Sequence, residues 1–150
     1  LIDKRLKITS GSEQFKAFVS PHGKPSVTKY EPIRVFKVHF DRHDQENPRI
    51  AHYTLCLAVP LTGRTHQIRC HMNSIGHPVV GDFKYSRKCA KLAEMFCTRL
   101  FLHCSEMGIR DLNGDMVNAT SPLPSSLSEV LDFVAEKSVS QNFDAGPEQE

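Results

Sequence analysis

The sequence predicts an α+β fold, a mainly antiparallel mixed sheet with a few flanking helices. Three observations carry that reading. Val35, Lys37 and His39 alternate with Phe36, Val38 and Phe40, and a second β-rich run follows at 50–59 after a polar break. Asn113-Gly114, between two further strand-like runs, is the two-residue signal of a tight hairpin. Helical spacing is confined to short stretches, chiefly 65–76 and 126–134. With 150 residues and 39% hydrophobic content, one domain with a real core is expected.

Residues 1–9 alternate as a strand with one polar side, and Phe15 to Val19 is a short segment between turn signals. Ser26 to Phe40 reads as a strand interrupted near Pro32, because proline has no N–H for the ladder. Asp41 to Pro48 reads as a polar turn, so 33–40 and 50–59 are expected to pair antiparallel. Thr62 or Thr65 is placed to cap a helix from about Thr65 to Gly76, with Ile68, Met72 and Ile75 as its apolar stripe. Phe83 to Phe96 reads as a loop and short helix, and Arg99 to Asp111 as a strand leading into the Asn113-Gly114 turn. Ser126 and Glu129 have capping-box spacing ahead of a closing helix with Leu127, Val130, Leu131 and Val134 inside. From about Ser138 the chain is polar and expected to be disordered.

Charge is unevenly placed behind a net +2. Residues 1–40 hold eight Lys/Arg against three Asp/Glu, residues 61–91 six against Asp82 alone, and residues 111–150 eight acids against Lys137. Such a split gives one face a positive potential, as nucleic-acid binders have. No apolar run approaches the roughly 20 residues that cross a bilayer, and no signal-peptide pattern is present. The chain begins at Leu1 rather than Met, which reads as a piece of a longer protein. Its five cysteines include no C-x-x-C pair and suit reduced thiols in an intracellular protein, without separating cytoplasm, nucleus and organelle.

The densest chemistry lies in Pro60–Asp82, which holds two arginines, three histidines, a Gln and an Asn. On the expected helix His66, Arg69 and Asn73 share a face, with Gln67 and His71 beside it. A polar face at a helix N-terminus suits an anionic ligand. His66/Cys70 and His103-Cys104 are the nearest approach to metal-ligand pairs, and neither has the spacing of a zinc site, so no metal is expected. Cys70 is read as a core thiol rather than a nucleophile, and His39, His43 and His52 as strand or turn residues.

Gly63-Arg-Thr-His-Gln-Ile-Arg69, followed by His71, Ile75-Gly-His-Pro78, Gly81-Asp82 and Tyr85, resembles the signature of the RluA family of RNA pseudouridine synthases. Ile2-Asp3 with Leu6, Ser26-Val-Thr28-Lys-Tyr30, Arg99-Leu-Phe-Leu-His103 and Ser121-Pro-Leu-Pro124 resemble further family elements in the same order. The resemblance implies that residues 1–137 are the C-terminal part of a pseudouridine synthase-like catalytic domain, with 138–150 as a tail. It implies isomerisation of uridine to pseudouridine in rRNA or tRNA with no cofactor and no metal, RNA as the partner, no membrane and no obligate protein partner. The base would be flipped out of its stack. An aspartate in a His-Arg-Leu-Asp setting would start glycosidic cleavage, a tyrosine would stack on the base, and Arg69 would pair with the aspartate. Arg64, Thr65, His66, Gln67 and His71 would face the nucleotide or its phosphates, and Leu102 and His103 would wall the pocket.

The chain departs from the family most at the nucleophile, beyond Ser26 and Ser121 standing where the family elements have Ala. It has no His-Arg-Leu-Asp; Asp3 stands before Lys-Arg-Leu, and Asp41 lies in a polar turn. The aspartate and stacking tyrosine are therefore expected upstream of Leu1, with the parent protein active and these 150 residues inactive alone. Two rivals are a non-catalytic RNA-binding module and a Cys/His metalloprotein. Phe83 and Tyr85 are read as core residues rather than RNA-stacking groups, and Asp82 as a turn or capping residue.

Overall fold

The computed structural model of the protein describes residues 1–9, 15–40 and 49–138. Its strands are β1 (Ile2–Asp3), β2 (Leu6–Thr9), β3 (Lys16–Val19), β4 (Val27–Phe40), β5 (Arg49–Pro60), β6 (Glu106–Arg110) and β7 (Met116–Thr120). Its helices are α1 (Gln67–Ser74), α2 (Arg87–Ala93) and α3 (Ser125–Glu136). Every pairing is antiparallel: β1-β4-β5 form one sheet, β2-β3 a second and β6-β7 a third. The architecture is α+β with antiparallel sheets, as the alternation and hairpin signals predict.

The long β4–β5 ladder is the frame. It runs from Thr28↔Pro60 to Phe40↔Arg49, with one irregularity where Pro32 pairs Cys56 and Arg34 pairs Leu55. Ile33 is the extra residue there, so the break expected near Pro32 is a bulge and not an end. Phe36 and Val38 point inward and meet Val134 of α3, with Phe40, Tyr53, Phe96, Leu131 and Phe133 packed around them. Leu127, Val130 and Val134 are all buried, at roughly 2 kcal/mol each; Val134 fastens α3 to β4, and Val130 packs on Ala93 and Cys97. Phe96 stacks on Phe133 at 5.0 Å and meets the Tyr53 edge at 5.5 Å, joining α3 to the segment after α2.

Several local expectations change. The apolar stripe Ile68, Met72 and Ile75 is only half-buried; the inward face of α1 is Gln67, Cys70 and His71. Neither Thr62 nor Thr65 caps α1: His66 holds the N-cap position and no side chain caps it. The capping box at Ser126 does not form, since α3 starts at Ser125 after Pro124 and the Pro124 carbonyl accepts from the Leu127 and Ser128 N–H groups. Of the strand expected over Arg99 to Asp111 only Glu106–Arg110 pairs, because residues 99–105 have no ladder partner and are tied to Val80 only through the Phe101 N–H. The β6–β7 hairpin forms, but without the two-residue turn expected of Asn113-Gly114: the Gly114 N–H donates to the Asp111 carbonyl, so Leu112 and Asn113 are the central turn residues and Gly114, at φ 92, follows them.

Ser138, expected to begin the tail, is tied to the fold: its N–H donates to the Ala135 carbonyl at 3.3 Å, its hydroxyl accepts from the Lys37 N–H at 3.1 Å, and it bridges to Val38. The expected polar turn at 41–48 and the tail from 139 onward lie outside the described residues.

Candidate functional site

The Gly63–Arg69 motif leaves the end of β5 and turns into α1. Its backbone takes a left-handed step at His66, φ 53 and ψ 26. Histidine tolerates that region better than most side chains, at a cost on the order of 1 kcal/mol. What fixes the turn is Gln67. Its Oε1 accepts from the Thr62 hydroxyl at 2.6 Å and the Arg64 N–H at 3.1 Å; its Nε2 donates to the Val27 carbonyl at 2.9 Å and the Thr28 hydroxyl at 3.0 Å. All four bonding positions of the amide are filled.

His71 continues the network. Its Nε2 lies 2.9 Å from the Lys4 carbonyl, which can only accept, so Nε2 carries a proton. Nδ1 lies 2.9 Å from the Thr28 hydroxyl, which in turn takes a bond from Gln67. The Lys4 ammonium closes the ring of contacts on the Ser74 carbonyl at 2.9 Å, at the end of α1. Gln67 and His71 are both buried, His71 completely. Both were expected to face RNA; in the structure their bonding capacity is spent joining α1 to β4 and the N-terminal segment.

The other face of α1 differs. Arg69 donates through Nε and Nη2 to the two carboxylate oxygens of Asp82, at 2.9 and 2.8 Å, a bidentate pair. Asp82 is 0% exposed and Arg69 17%. Asp82 also accepts from the Lys84 and Tyr85 N–H groups, at 3.2 and 3.1 Å. Burial pushes its carboxyl up, but the Arg69 guanidinium and those N–H groups outweigh it and hold the carboxyl below its usual range. Arg69 is held still more firmly in its charged form, chiefly by the bond to Asp82.

Gly81 makes this placement possible. It sits at φ 73 against the Arg99 carbonyl, where a Cβ would collide with that backbone.

Tyr85 ties the pieces together. Its hydroxyl accepts from the Ala17 N–H of β3 at 3.0 Å and lies 2.9 Å from His66 Nδ1. Its ring takes the Arg69 guanidinium at 5.0 Å and the Lys16 ammonium at 5.8 Å. Burial and the neighbouring Cys70 thiol push the Tyr85 hydroxyl up to about 12. Burial, with the Arg69 and Lys84 charges nearby, holds the His66 imidazole below the usual histidine range, against a smaller opposing pull from Asp82.

Two open clefts adjoin this cluster. One, of about 540 Å³, is lined by Ile8, Phe15, Thr65, His66 and Lys84. The other, of about 660 Å³, is lined by Lys16, Phe83, Lys84, Tyr85 and Arg87. Thr65 and His66 thus sit in a cleft wall. Arg64 is exposed at the motif's edge, its Nε donating to the Pro25 carbonyl at 3.2 Å. Leu102 and His103, expected as pocket wall, line neither cleft; His103 Nε2 instead lies 3.0 Å from the Ser121 carbonyl.

Sequence reasoning missed Asp82 as the counter-ion of Arg69. The signal was present: it is the one acid among the six cations of residues 61–91. Among the described residues no group of three or more His, Cys, Asp or Glu is placed to hold a metal ion, and no helix is long and apolar enough to cross a membrane.

Comparison with known proteins places the motif. Residues 1–74 match the family described as RNA pseudouridylate synthase. Over 116 residues the chain is 34% identical to ribosomal large subunit pseudouridine synthase C of Vibrio parahaemolyticus, covering 75% of this chain and 32% of that protein. The dual-specificity RNA pseudouridine synthase RluA of the same organism is 40% identical over 85 residues, 57% of this chain and 29% of its own length. The tRNA pseudouridine synthase C of Haemophilus influenzae is 26% identical over 110 residues, 71% of this chain and 45% of that one. The chain belongs to the RluA family of RNA pseudouridine synthases. It spans about a third of the length of the first two of these relatives.

Proposed function

We propose that this chain is part of an enzyme that isomerises uridine to pseudouridine in structured RNA, rRNA or tRNA, without metal or organic cofactor. The observation that carries the reading is the Arg69 guanidinium, fixed in plane by buried Asp82 and packed on Tyr85, which lines an open cleft with Lys16, Lys84 and Arg87. Two of its three nitrogens are committed to Asp82, and Nη1 makes no hydrogen bond among the described residues. That remaining edge is available to a second carboxylate. In the proposed enzyme this is the aspartate that starts glycosidic cleavage. A held cation keeps such a carboxylate ionised and oriented without reorganising during reaction.

His66 and Thr65 border the space a flipped nucleotide would enter, and Arg64 meets its phosphates. Gln67 and His71 serve the geometry from behind, by fixing the turn and the pitch of α1. The nucleophile has no match in these 150 residues, so turnover belongs to the longer protein. The absence of His-Arg-Leu-Asp is the one observation that favours the second reading, an RNA-binding module without catalysis.

The test is release of tritium from RNA labelled at uridine C5. The complete protein should release it, and the 150-residue chain alone should not. RNA binding by the complete protein with no release would establish the binding module instead.

A further inference from the structure

The two clefts beside the motif share Lys84 in their walls, and their linings together run from Ile8 and Phe15 past His66 to Arg87. These linings are unusual in composition. Lys16, Lys84 and Arg87 supply three cations, and Phe15 and Phe83 stand beside them 67% and 39% exposed. The one acid of residues 61–91, Asp82, is fully buried and matched by Arg69, so it contributes no negative potential at this surface. Lys16 and Arg69 both lie within 6 Å of the Tyr85 ring, Arg69 with its charge matched by Asp82. Among the described residues no acid lines either cleft, so Lys16, Lys84 and Arg87 give this surface a positive potential that favours a polyanion.

The exposed aromatics say which polyanion. A phosphate-only ligand has no use for Phe15 and Phe83, and a duplex hides its base faces. A single strand offers both a backbone charge for the lysines and base faces for the rings. Both clefts are open to solvent rather than closed chambers, which leaves room for an extended ligand.

We propose that the cleft surface lined by Lys16, Phe83, Lys84, Arg87 and Phe15 binds the single-stranded RNA flanking the modified nucleotide, by backbone charge and base stacking, without reading sequence. The proposal rests on the uridine-modifying reading above for its RNA, but the groove is separable from the reaction. Lys84 and Arg87 set affinity and its salt dependence; Phe83 adds stacking. None of the three holds Arg69 by its side chain.

A fluorescent twelve-nucleotide oligoadenylate is the probe, because it contains no uridine and cannot enter the reaction. Binding to the complete protein is measured across a salt series for the parent, Lys84→Glu/Arg87→Glu and Phe83→Ala. A glutamate at position 87 suits the start of α2, so the double variant should fold. Each single-strand phosphate contact contributes about 0.7 to the salt slope, so the double variant should lose about 1.4 from it and bind at least about tenfold more weakly. Phe83→Ala should bind about tenfold more weakly with its slope unchanged.

Affinities of both variants within twofold of the parent would overturn the groove. So would no binding of oligoadenylate by the parent, preferential binding of a duplex of equal length, or loss of affinity matched on vesicles of acidic phospholipid. Tritium release from uridine-labelled RNA, measured alongside, separates the two claims. Groove-dependent binding without release keeps the groove and removes the enzyme; release with no groove dependence does the reverse.

Discussion

The two sides of helix α1 hold similar residue types and do different work. On the side facing β4, Gln67 and His71 are buried with every polar position matched, to Thr62, Arg64, Val27, Thr28 and Lys4. On the side facing Tyr85 and Asp82, His66 and Arg69 are partly exposed, and Arg69 keeps a nitrogen without a protein partner among the described residues. The difference is one of unspent bonding capacity. A buried polar group that is fully satisfied is scaffold, whereas one that is rigidly held and incompletely satisfied can meet a ligand without first reorganising.

That contrast breaks most visibly at Arg69. In the complete protein Arg69→Ala should lower turnover about 10²–10³-fold, the scale of losing one preorganised charge donor. RNA affinity should fall less than about tenfold, because phosphate contacts elsewhere persist. Arg69→Lys should not rescue turnover, since an ammonium cannot span both Asp82 oxygens. Near-normal turnover in Arg69→Ala, followed by C5 tritium release, would move the site elsewhere.

His71→Ala tests the opposite side. It leaves the Lys4 carbonyl and Thr28 hydroxyl unmatched around a new cavity, so denaturant unfolding should report a loss of about 3 kcal/mol. The salt slope of RNA binding should not change. A stable variant with an altered slope would mean that His71 meets RNA after all.

The smallest effect sharpens the comparison through pH. His66 is below the ordinary histidine value of 6.5 in the folded chain. The unfolded chain then binds the extra proton, so the stability this group contributes is fully present above about pH 6.5 and is lost as pH falls through the depressed value. His66→Asn, which also tolerates a positive φ, should flatten that part of the curve below about pH 6.5. Unfolding midpoints that follow the same pH curve in both proteins would remove the link between His66 and the charges of Arg69 and Lys84.

What was legible in the sequence follows how local each signal is. Alternation in 35–40 and 50–59 and the Asn113-Gly114 turn signal are properties of the segments themselves, and both pairings formed. The strand read over 99–105 depended on a neighbour, and with no strand beside it the segment stays irregular. The inward face of α1 was read from Ile68, Met72 and Ile75, because hydrophobicity usually marks burial. Thr28 overrode that rule by offering Gln67 and His71 a bonded place inside. The Arg69–Asp82 pair needed the turn at Gly81, whose close approach to Arg99 no local pattern encodes.

Arg69 also precedes its counter-ion by thirteen positions, and the Tyr85 hydroxyl reaches Ala17 across sixty-eight. A ribosome delivers about 5–20 residues each second, so on the order of a second separates the synthesis of α1 from that of Asp82. In that interval the nascent segment already has the residues that bind Gln67 and His71, yet its guanidinium has no carboxylate. The scaffold side of the helix can set first, and the ligand side acquires its orientation only when the chain turns back at Gly81.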